Sequence, residues 1–153
     1  MKLKIGDTDV PLQEFSFPGG EVHVRMSRIP DIASREERIT IEARLHDSGS
    51  LMSLLLLTDA VRRAYASHGD LPIHLVCPYL PYARQDRVAV DGEPLSIAVL
   101  AGILNAQRYA TVEVWDAHSN VSLALIDRVV HRQAHVFAKS AVWIERSKSI
   151  AAA

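Results

Sequence analysis

A short polar loop at residues 84–87 carries the side chains in this sequence that are best suited to chemistry. It consists of Arg84, Gln85, Asp86 and Arg87, so two guanidinium groups, an amide and a carboxylate follow one another. A guanidinium presents a planar fork of donors that matches phosphate oxygens, and an amide can hydrogen-bond a base, a ribose or a phosphate. Taken alone, this composition favours the ordinary alternative, a solvated charged loop. A phosphate-binding loop needs support from further observations.

A second polar loop, at residues 116–120, places a carboxylate two residues from an imidazole. Magnesium strongly prefers oxygen ligands, so Asp116 is the more natural direct or water-mediated partner of a cation that carries a phosphate. His118 is suited to donating a hydrogen bond to a phosphate, and a plain hydrogen-bonded loop histidine is an equal alternative. The remaining histidines show no paired metal spacing and are expected to be structural or solvated.

A glycine-rich turn, FPGGE at residues 17–21, precedes an alternating segment. Its glycines allow a tight turn and a close backbone approach. Glu21 is able to accept a hydrogen bond from an amino group or a ribose hydroxyl, although the pattern taken alone favours an ordinary turn. The sequence contains no Walker-type glycine loop and no Gly-x-Ser-x-Gly elbow, and its lone cysteine, Cys77, excludes a cysteine-rich zinc site.

Strands with different hydrophobic patterns must hold these loops. Alternation with a period of two predicts half-buried strands at the start of the chain, after the glycine turn and near residues 39–43. The short apolar run at Ile73–Cys77 predicts a strand buried on both faces, as in a parallel sheet. Thr111–Trp115 predicts another strand. The two polar loops directly follow these two strands. Because the carboxyl ends of parallel neighbours share one edge, we expect the loops to converge there.

Helices are predicted between and after these strands. Apolar spacing near 3.6 residues indicates helices at about residues 50–66, 95–107, 121–130 and 136–150. Asp47, Ser48 or Ser50 is placed to cap the first of them. The resulting alternation of helices and strands predicts right-handed crossovers and one α/β domain with a parallel sheet covered by helices.

Length and composition limit the classes of protein that fit. The 153 residues suit one domain, and a net charge of −1 argues against a nucleic-acid-binding module. No apolar stretch approaches the roughly 18 residues that span a membrane, and no signal peptide is visible. We therefore expect a cytoplasmic protein without nucleic-acid or membrane partners. Cys77 lies in an apolar run, where buried packing is the expected role.

Several segments resemble one family in matching order. Residues 78–87 (PYLPYARQDR) and 92–96 (GEPLS) look like the amino-terminal half of ribose-phosphate pyrophosphokinase, the PRPP synthetase. The FPGGE turn, the helix segment LMSLLLLTDA at 51–60 and the DAH segment at 116–118 add to this resemblance, which spans about residues 17–125. It implies a three-layer parallel-sheet α/β domain of the phosphoribosyltransferase-like fold.

The resemblance also implies an activity. The family transfers the β,γ-diphosphoryl group of ATP to the C1 hydroxyl of ribose 5-phosphate, uses Mg²⁺ and releases AMP. By position, Arg84 and Gln85 would contact ATP, with Asp86 and Arg87 completing the loop. His118 would lie at the Mg-ATP phosphates with Asp116 nearby. The adenine would be held by a set shared across a subunit contact, namely Phe17, Gly20 and Glu21.

The sequence departs from the family at three places. Gly19 stands where the family has an aspartate, and residues 119–125 (SNVSLAL) lack the glutamines and aromatics that usually follow the histidine, so the acceptor could be a related ribosyl phosphate. Family members are roughly twice as long, and their second domain carries the catalytic lysine and arginine and the ribose 5-phosphate loop. Nothing after residue 130 resembles that domain, and neither Lys139 nor Lys148 is assigned as the catalytic lysine.

Three functions are compatible with these observations. The first is the ATP-binding half of a PRPP-synthetase-like enzyme, poorly active alone and expected to form homo-oligomers as the family does. The second is a non-catalytic regulatory subunit that associates with a full-length synthetase. The third is an unrelated nucleotide-binding α/β domain that has acquired a similar loop.

Overall fold

The structure, a computed structural model, describes residues 1–32 and 37–136. In this part of the chain, the strands are β1 (Lys2–Ile5), β2 (Thr8–Val10), β3 (Leu12–Ser16), β4 (Val22–Met26), β5 (Ile39–Glu42), β6 (Ile73–Cys77), β7 (Thr111–Trp115) and β8 (Val129–Arg132). The helices are α1 (Ser48–Ala64), α2 (Ser96–Ala106) and α3 (Asn120–Leu125). A short helical turn at Ala66–His68 follows α1.

Six of these strands form the central sheet in the order β2-β1-β5-β6-β7-β8. Strands β5 to β8 are parallel to one another, and β1 and β2 add an antiparallel edge. The hairpin β3–β4 forms a separate two-stranded sheet, and β4 contacts α1. The predicted α/β fold with a mostly parallel sheet is confirmed.

One face of the sheet forms the core. Leu3, Ile41, Leu75 and Val112 lie side by side across four strands and are almost completely buried. Successive right-handed crossovers in one direction place their helices on the same face. Buried side chains of α1 and α2 join this core, among them Leu54, Leu57, Leu100 and Leu104.

The other face of the sheet is less buried and carries a row of polar side chains, of which Lys4 is exposed and the others are half-buried. Lys4, Thr40, His74 and Thr111 form the row next to the core row, and His74 Nδ1 lies 2.8 Å from Thr111 Oγ1. Burial, and to a lesser extent Arg38, lowers the pKa of His74. Strand β6 is therefore fully buried on the core face and half-buried on the other, instead of fully buried on both as predicted.

Helix α1 starts two residues earlier than predicted because Asp47 caps it. The Ser50 N–H donates to Asp47 Oδ1 at 2.6 Å, and the Asp47 N–H donates to Ser50 Oγ at 3.1 Å. These reciprocal bonds form a capping box. Hydrogen bonds from the Ser50 backbone and then its hydroxyl lower the pKa of Asp47. Of the three proposed caps, Asp47 is the one that the structure confirms as the N-cap.

The helix predicted at residues 121–130 is wrong in its second half. Helix α3 ends at Leu125, and residues 129–132 form β8 beside β7. The Asn105 side chain of α2 produces this ending, because its amide donates to Leu125 O and accepts from the Asp127 N–H, both at 2.9 Å. Apart from Val136, the helix predicted at 136–150 lies outside the described residues, as do Lys139 and Lys148.

Cys77 is buried at the end of β6, as predicted. Its thiol donates to Tyr79 O at 3.0 Å. Burial raises the pKa of this thiol to about 12, so it stays protonated at neutral pH. Within residues 1–32 and 37–136, no helix combines the length and apolar character needed to cross a bilayer.

Candidate functional site

The loop that leaves β6 is anchored from below and tied to the following helix. Leu80 and Ala83 are buried beneath it. The Gln85 N–H donates to Tyr82 O at 2.9 Å, and Gln85 O accepts the Ile97 N–H at 3.4 Å. These contacts fix the backbone of the loop while the side chains of Arg84 and Gln85 stay exposed.

The loop that leaves β7 is held to the end of β8. The Asp116 N–H donates to Arg132 O at 2.8 Å, and Asp116 Oδ1 accepts the Ala134 N–H at 3.0 Å. The Ala117 N–H donates to His131 Nε2 at 3.3 Å. One carboxylate oxygen of Asp116 thus stabilises the conformation of the loop.

Both loops contain a residue in a strained backbone conformation. Tyr82 has φ +60° and Asp116 has φ +46°, values in the left-handed region that side chains with a Cβ disfavour. Strain of this kind persists where the surrounding contacts enforce it, and it is concentrated at functional sites. Arg108 and Arg128, which precede β7 and β8 at the opposite edge of the sheet, also have positive φ values, so the strain by itself does not single out this edge.

A cavity of about 330 Å³ lies between the two loops. Its lining includes four of the predicted site residues: Arg84, Gln85, Asp116 and His118. The reason is the sheet register, because β6 and β7 are parallel neighbours and their carboxyl ends share an edge. Asp86 is half-buried and Arg87 is exposed, and neither is among the residues that line this cavity.

Aromatic side chains complete the cavity, a role that was not predicted from the sequence. Tyr79 and Tyr82 are 59% and 47% exposed and line the cavity. Trp115, at the end of β7, also lines it and donates from Nε1 to Glu113 Oε1 at 2.9 Å. Its position was readable from the alternation of β7, because Trp115 falls on the opposite face from the core residues Val112 and Val114.

A second cavity of about 400 Å³ adjoins the first and shares Tyr79, Tyr82 and Gln85 with it. Its far side is formed by His46, Asp47 and Ser48, after β5. The two cavities therefore form one cleft along the carboxyl ends of β5, β6 and β7. His46 was expected to be structural or solvated, and its Nε2 lies 3.4 Å from Asp47 Oδ2.

The glycine turn joins β3 to β4 and lies outside this cleft. Phe17 and Glu21 are exposed there, and Gly20 has φ +95°, which favours glycine. None of these three residues is among those that line the two cavities. A Cβ on Gly19 would lie 2.6 Å from Glu21 Oε2, so the Glu21 carboxylate lies against the position where a side chain would be.

The hairpin also carries an exposed aromatic cluster. The rings of Phe15, Phe17 and His23 contact one another with centroids 5.2 to 5.4 Å apart. Edge-on and tilted ring pairs of this kind stabilise one another while leaving ring area exposed. The cluster thus presents a small aromatic surface at the end of the hairpin.

Within residues 1–32 and 37–136, no group of three or more His, Cys, Asp or Glu side chains is arranged to hold a metal ion. Asp116 and His118 both line the first cavity, and Asp116 has already engaged one oxygen. A Mg²⁺ ion here would have to take most of its ligands from a substrate and from water, which is its usual behaviour at phosphate sites. The residues present fit a metal that arrives with a phosphate.

Comparison with protein families gives a match over most of the chain. The family model described as the N-terminal domain of ribose phosphate pyrophosphokinase matches residues 2–107. The ribose-phosphate pyrophosphokinase of Pyrococcus abyssi is 35% identical over 108 residues, covering 70% of this chain and 34% of that enzyme. The Pyrococcus furiosus enzyme of the same name is 32% identical over 124 residues, covering 80% and 40%.

A solved structure shares the fold. The phosphoribosylpyrophosphate synthetase of Mycobacterium smegmatis superposes with a TM-score of 0.68 at 22% sequence identity. The superposition covers 87% of this chain and 43% of that one. The matched segment spans about a third of the length of these curated relatives.

Proposed function

This chain belongs to the ribose-phosphate pyrophosphokinase family, and we propose that it supplies the ATP-binding half of such an enzyme. The reaction is the Mg-ATP-dependent transfer of a diphosphoryl group to ribose 5-phosphate, or to a related ribosyl phosphate, giving PRPP and AMP. The proposal includes a cytoplasmic location and no nucleic-acid or membrane partner.

One observation carries the proposal: two polar loops from neighbouring parallel strands converge on one cavity. Arg84 and Gln85 enter it from the loop after β6, and Asp116 and His118 enter it from the loop after β7. This edge is where open parallel sheets bind ligands. An arginine fork, an amide and an imidazole around a cavity are groups that suit a nucleoside triphosphate.

Each side chain has a task in this proposal. Arg84 binds phosphate oxygens, Gln85 orients the nucleotide, and His118 donates to a phosphate. Asp116 would help to hold Mg²⁺, which when bound would neutralise charge on the phosphates. The acceptor hydroxyl attacks the β-phosphorus and loses its proton to solvent, the bond from that phosphorus to the bridging oxygen breaks, and AMP leaves with that oxygen on its phosphate. Catalysis of this type consists mainly of positioning and charge stabilisation.

The adenine would be held by the hairpin of a second subunit. Phe17, Gly20 and Glu21 do not line the cleft of their own subunit, yet Phe17 belongs to an exposed aromatic cluster. An exposed ring surface beside a carboxylate suits a purine with an amino group. A homo-oligomer is therefore part of the proposal.

The test is titration of Mg-ATP into the chain by calorimetry. Arg84→Ala should weaken binding about tenfold or more, because it removes charge-assisted hydrogen bonds worth about 1.5–3 kcal/mol, and His118→Ala should weaken it less. Arg63→Ala is the matched control. Arg63 pairs with Asp59 on the exposed side of α1, near the end of the helix that lies away from the cleft. Unchanged affinity in both site variants would favour the unrelated nucleotide-binding domain instead.

The rate of AMP formation shows whether the chain is catalytically efficient alone or needs the rest of the enzyme. The chain matches only the N-terminal domain of its family, so we expect slow AMP formation from ATP and ribose 5-phosphate by the chain alone. Efficient AMP formation by the isolated chain would show that it is complete.

A second candidate function is a regulatory subunit that associates with a full-length synthetase. The family model that matches describes the N-terminal domain and covers residues 2–107, and a regulatory subunit built on that domain would match in this way. The test is co-purification with an active synthetase and a change in that enzyme's rate when the chain is added. A synthetase that neither binds the chain nor changes its rate contradicts this candidate.

A further inference from the structure

The hairpin β3–β4 has one face against the body of the molecule and one face outside. Val24 is 3% exposed, and its strand β4 contacts α1. Because successive side chains of a strand point to opposite faces, His23 lies on the outer face. Phe15 is its partner on β3, and Phe17 follows two residues later. The outer face thus carries three rings on a base that packs against α1.

The backbone at Phe17 is fixed by hydrogen bonds of the turn. The Phe17 N–H donates to Glu21 O, and the Gly20 N–H donates to Phe17 O, both at 2.8 Å. The Phe17 side chain itself is 48% exposed, so burial in the core does not set the direction of its ring. The rotation of this side chain is therefore limited by the rings that it contacts.

His23 supplies one of the two ring contacts that limit this rotation. Its centroid lies 5.4 Å from that of Phe17 and 5.2 Å from that of Phe15, with interplanar angles of 52° and 55°. Phe17 also meets Phe15 edge-on at 5.4 Å. His23 is half-buried, whereas both phenylalanines are exposed. The imidazole is thus the most buried ring of the aromatic cluster, and both phenylalanine rings pack against it.

We propose that His23 is a positioning residue for nucleotide binding, because its imidazole holds the Phe17 ring in the orientation that stacks on the adenine. The inference rests on the proposed function, in which Phe17 acts on the adenine bound by a neighbouring subunit. A side chain that is already held loses less conformational freedom on binding than a freely rotating one. His23 therefore strengthens binding of the base by acting through Phe17.

The test compares two ligands of the full chain by titration calorimetry, Mg-ATP and inorganic tripolyphosphate with Mg²⁺. His23→Ala should weaken Mg-ATP binding about three- to fivefold, the size of effect expected when one side chain at the site is no longer held. Binding of tripolyphosphate, which has no base, should not change. Equal losses for the two ligands would show a general defect of the variant and would overturn the positioning role.

A conservative variant and a matched control identify which property of His23 is needed. His23→Phe keeps three rings and should bind Mg-ATP as tightly as the unmodified chain, and failure to do so would contradict holding by ring contact. Gln13→Ala is the control and should change neither affinity. Gln13 lies on the same outer face, one row away from the rings, where its Oε1 accepts from Arg25 Nη2 at 2.6 Å.

Two further measurements show whether His23 acts through Phe17. In a Phe17→Ala background, His23→Ala should cause no further loss of Mg-ATP affinity, because the ring that it holds is gone. Additive losses would mean that His23 acts on the nucleotide by another route. Hydrogen exchange at the Phe17 amide should be the same in His23→Ala and in the unmodified chain. Faster exchange would show that the variant loosens the turn itself, which also overturns the inference.

The variant Arg84→Ala separates failure of this inference from failure of the proposed function. Mg-ATP binding that depends on Arg84 but not on His23 overturns the positioning role alone. Binding that depends on His23 but not on Arg84 contradicts the proposed site and supports the aromatic cluster as a base-binding surface. An absence of Mg-ATP binding overturns both.

Discussion

The core row of the sheet and its carboxyl edge differ in burial and in backbone conformation. Leu3, Ile41 and Leu75 are at most 1% exposed and have ordinary strand conformations. A few residues away, Tyr82 and Asp116 have positive φ values, and the polar side chains of the cleft are exposed. The difference indicates that the buried row supplies stability, while the exposed edge supplies the side chains of the candidate site.

The largest effect should come from the core row. Leu75→Ala should lower the free energy of unfolding by about 3 kcal/mol, because it removes buried methyl groups and leaves a cavity. Urea denaturation measures this loss, and Mg-ATP affinity of the folded protein should not change. Val76→Ala, one residue away on the half-buried face, is the control and should cost clearly less. Equal losses would mean that both faces contribute equally to the core.

A smaller effect is expected at the carboxyl edge, where glycine should be more stabilising than alanine, the reverse of the usual order. At Tyr82, glycine should be more stable than alanine by about 1 kcal/mol, because only glycine adopts this φ without a steric cost. Comparing Tyr82→Gly with Tyr82→Ala by denaturation isolates the backbone term. The same pair at Arg84, where φ is not positive, should give the usual order. Alanine more stable than glycine at both positions would contradict strain at the edge.

The hydrogen bond from the Ala117 N–H to His131 should contribute less still. His131→Ala should cost about 0.5–1 kcal/mol, the usual net value of such a bond. It should also speed hydrogen exchange at the Ala117 amide, and the lost protection, expressed as a free energy, should be similar in size. His135→Ala, at a neighbouring exposed position, is the control. Unchanged exchange at Ala117 would show that the remaining bonds of Asp116 hold this loop by themselves.

The smallest effect concerns the half-buried face and depends on pH. Because the pKa of His74 is lowered from 6.5 in the folded protein, the unfolded chain binds a proton first as the pH falls. The contribution of His74 to the free energy of unfolding should therefore be fully present above about pH 6.5 and should decline below it. His74→Gln, which cannot titrate, should show a shallower decline in denaturation series between pH 7 and pH 5. Identical slopes would exclude His74 as a source of acid sensitivity.

Local patterns predicted the elements whose boundaries are set locally. The runs Ile73–Cys77 and Thr111–Trp115 were predicted with their observed limits, and Asp47 was among the expected caps. The end of α3 was missed because it is fixed by Asn105 on a different helix, a contact that no local pattern of residues 121–130 encodes.

The site shows the same division between local and distant information. Topology alone predicted that Arg84 and His118 would approach the same cavity, since the carboxyl ends of parallel neighbours share an edge. The neighbouring cavity beside His46 was missed because it depends on how the loops after β5 and β6 pack against each other. The contribution of Tyr79 and Tyr82 to the cavity was also not predicted, because it depends on Leu80 and Ala83 occupying the base of the loop.

The protonated, buried thiol of Cys77 provides an internal chemical probe of opening. The sequence has one cysteine, and it lies at the end of β6, immediately before the loop of the cleft. A thiolate-selective reagent can modify it only when the strand end separates from the core. The labelling rate of unmodified protein therefore measures how often this edge opens. Comparing that rate with global unfolding would show whether the cleft opens independently of the rest of the sheet.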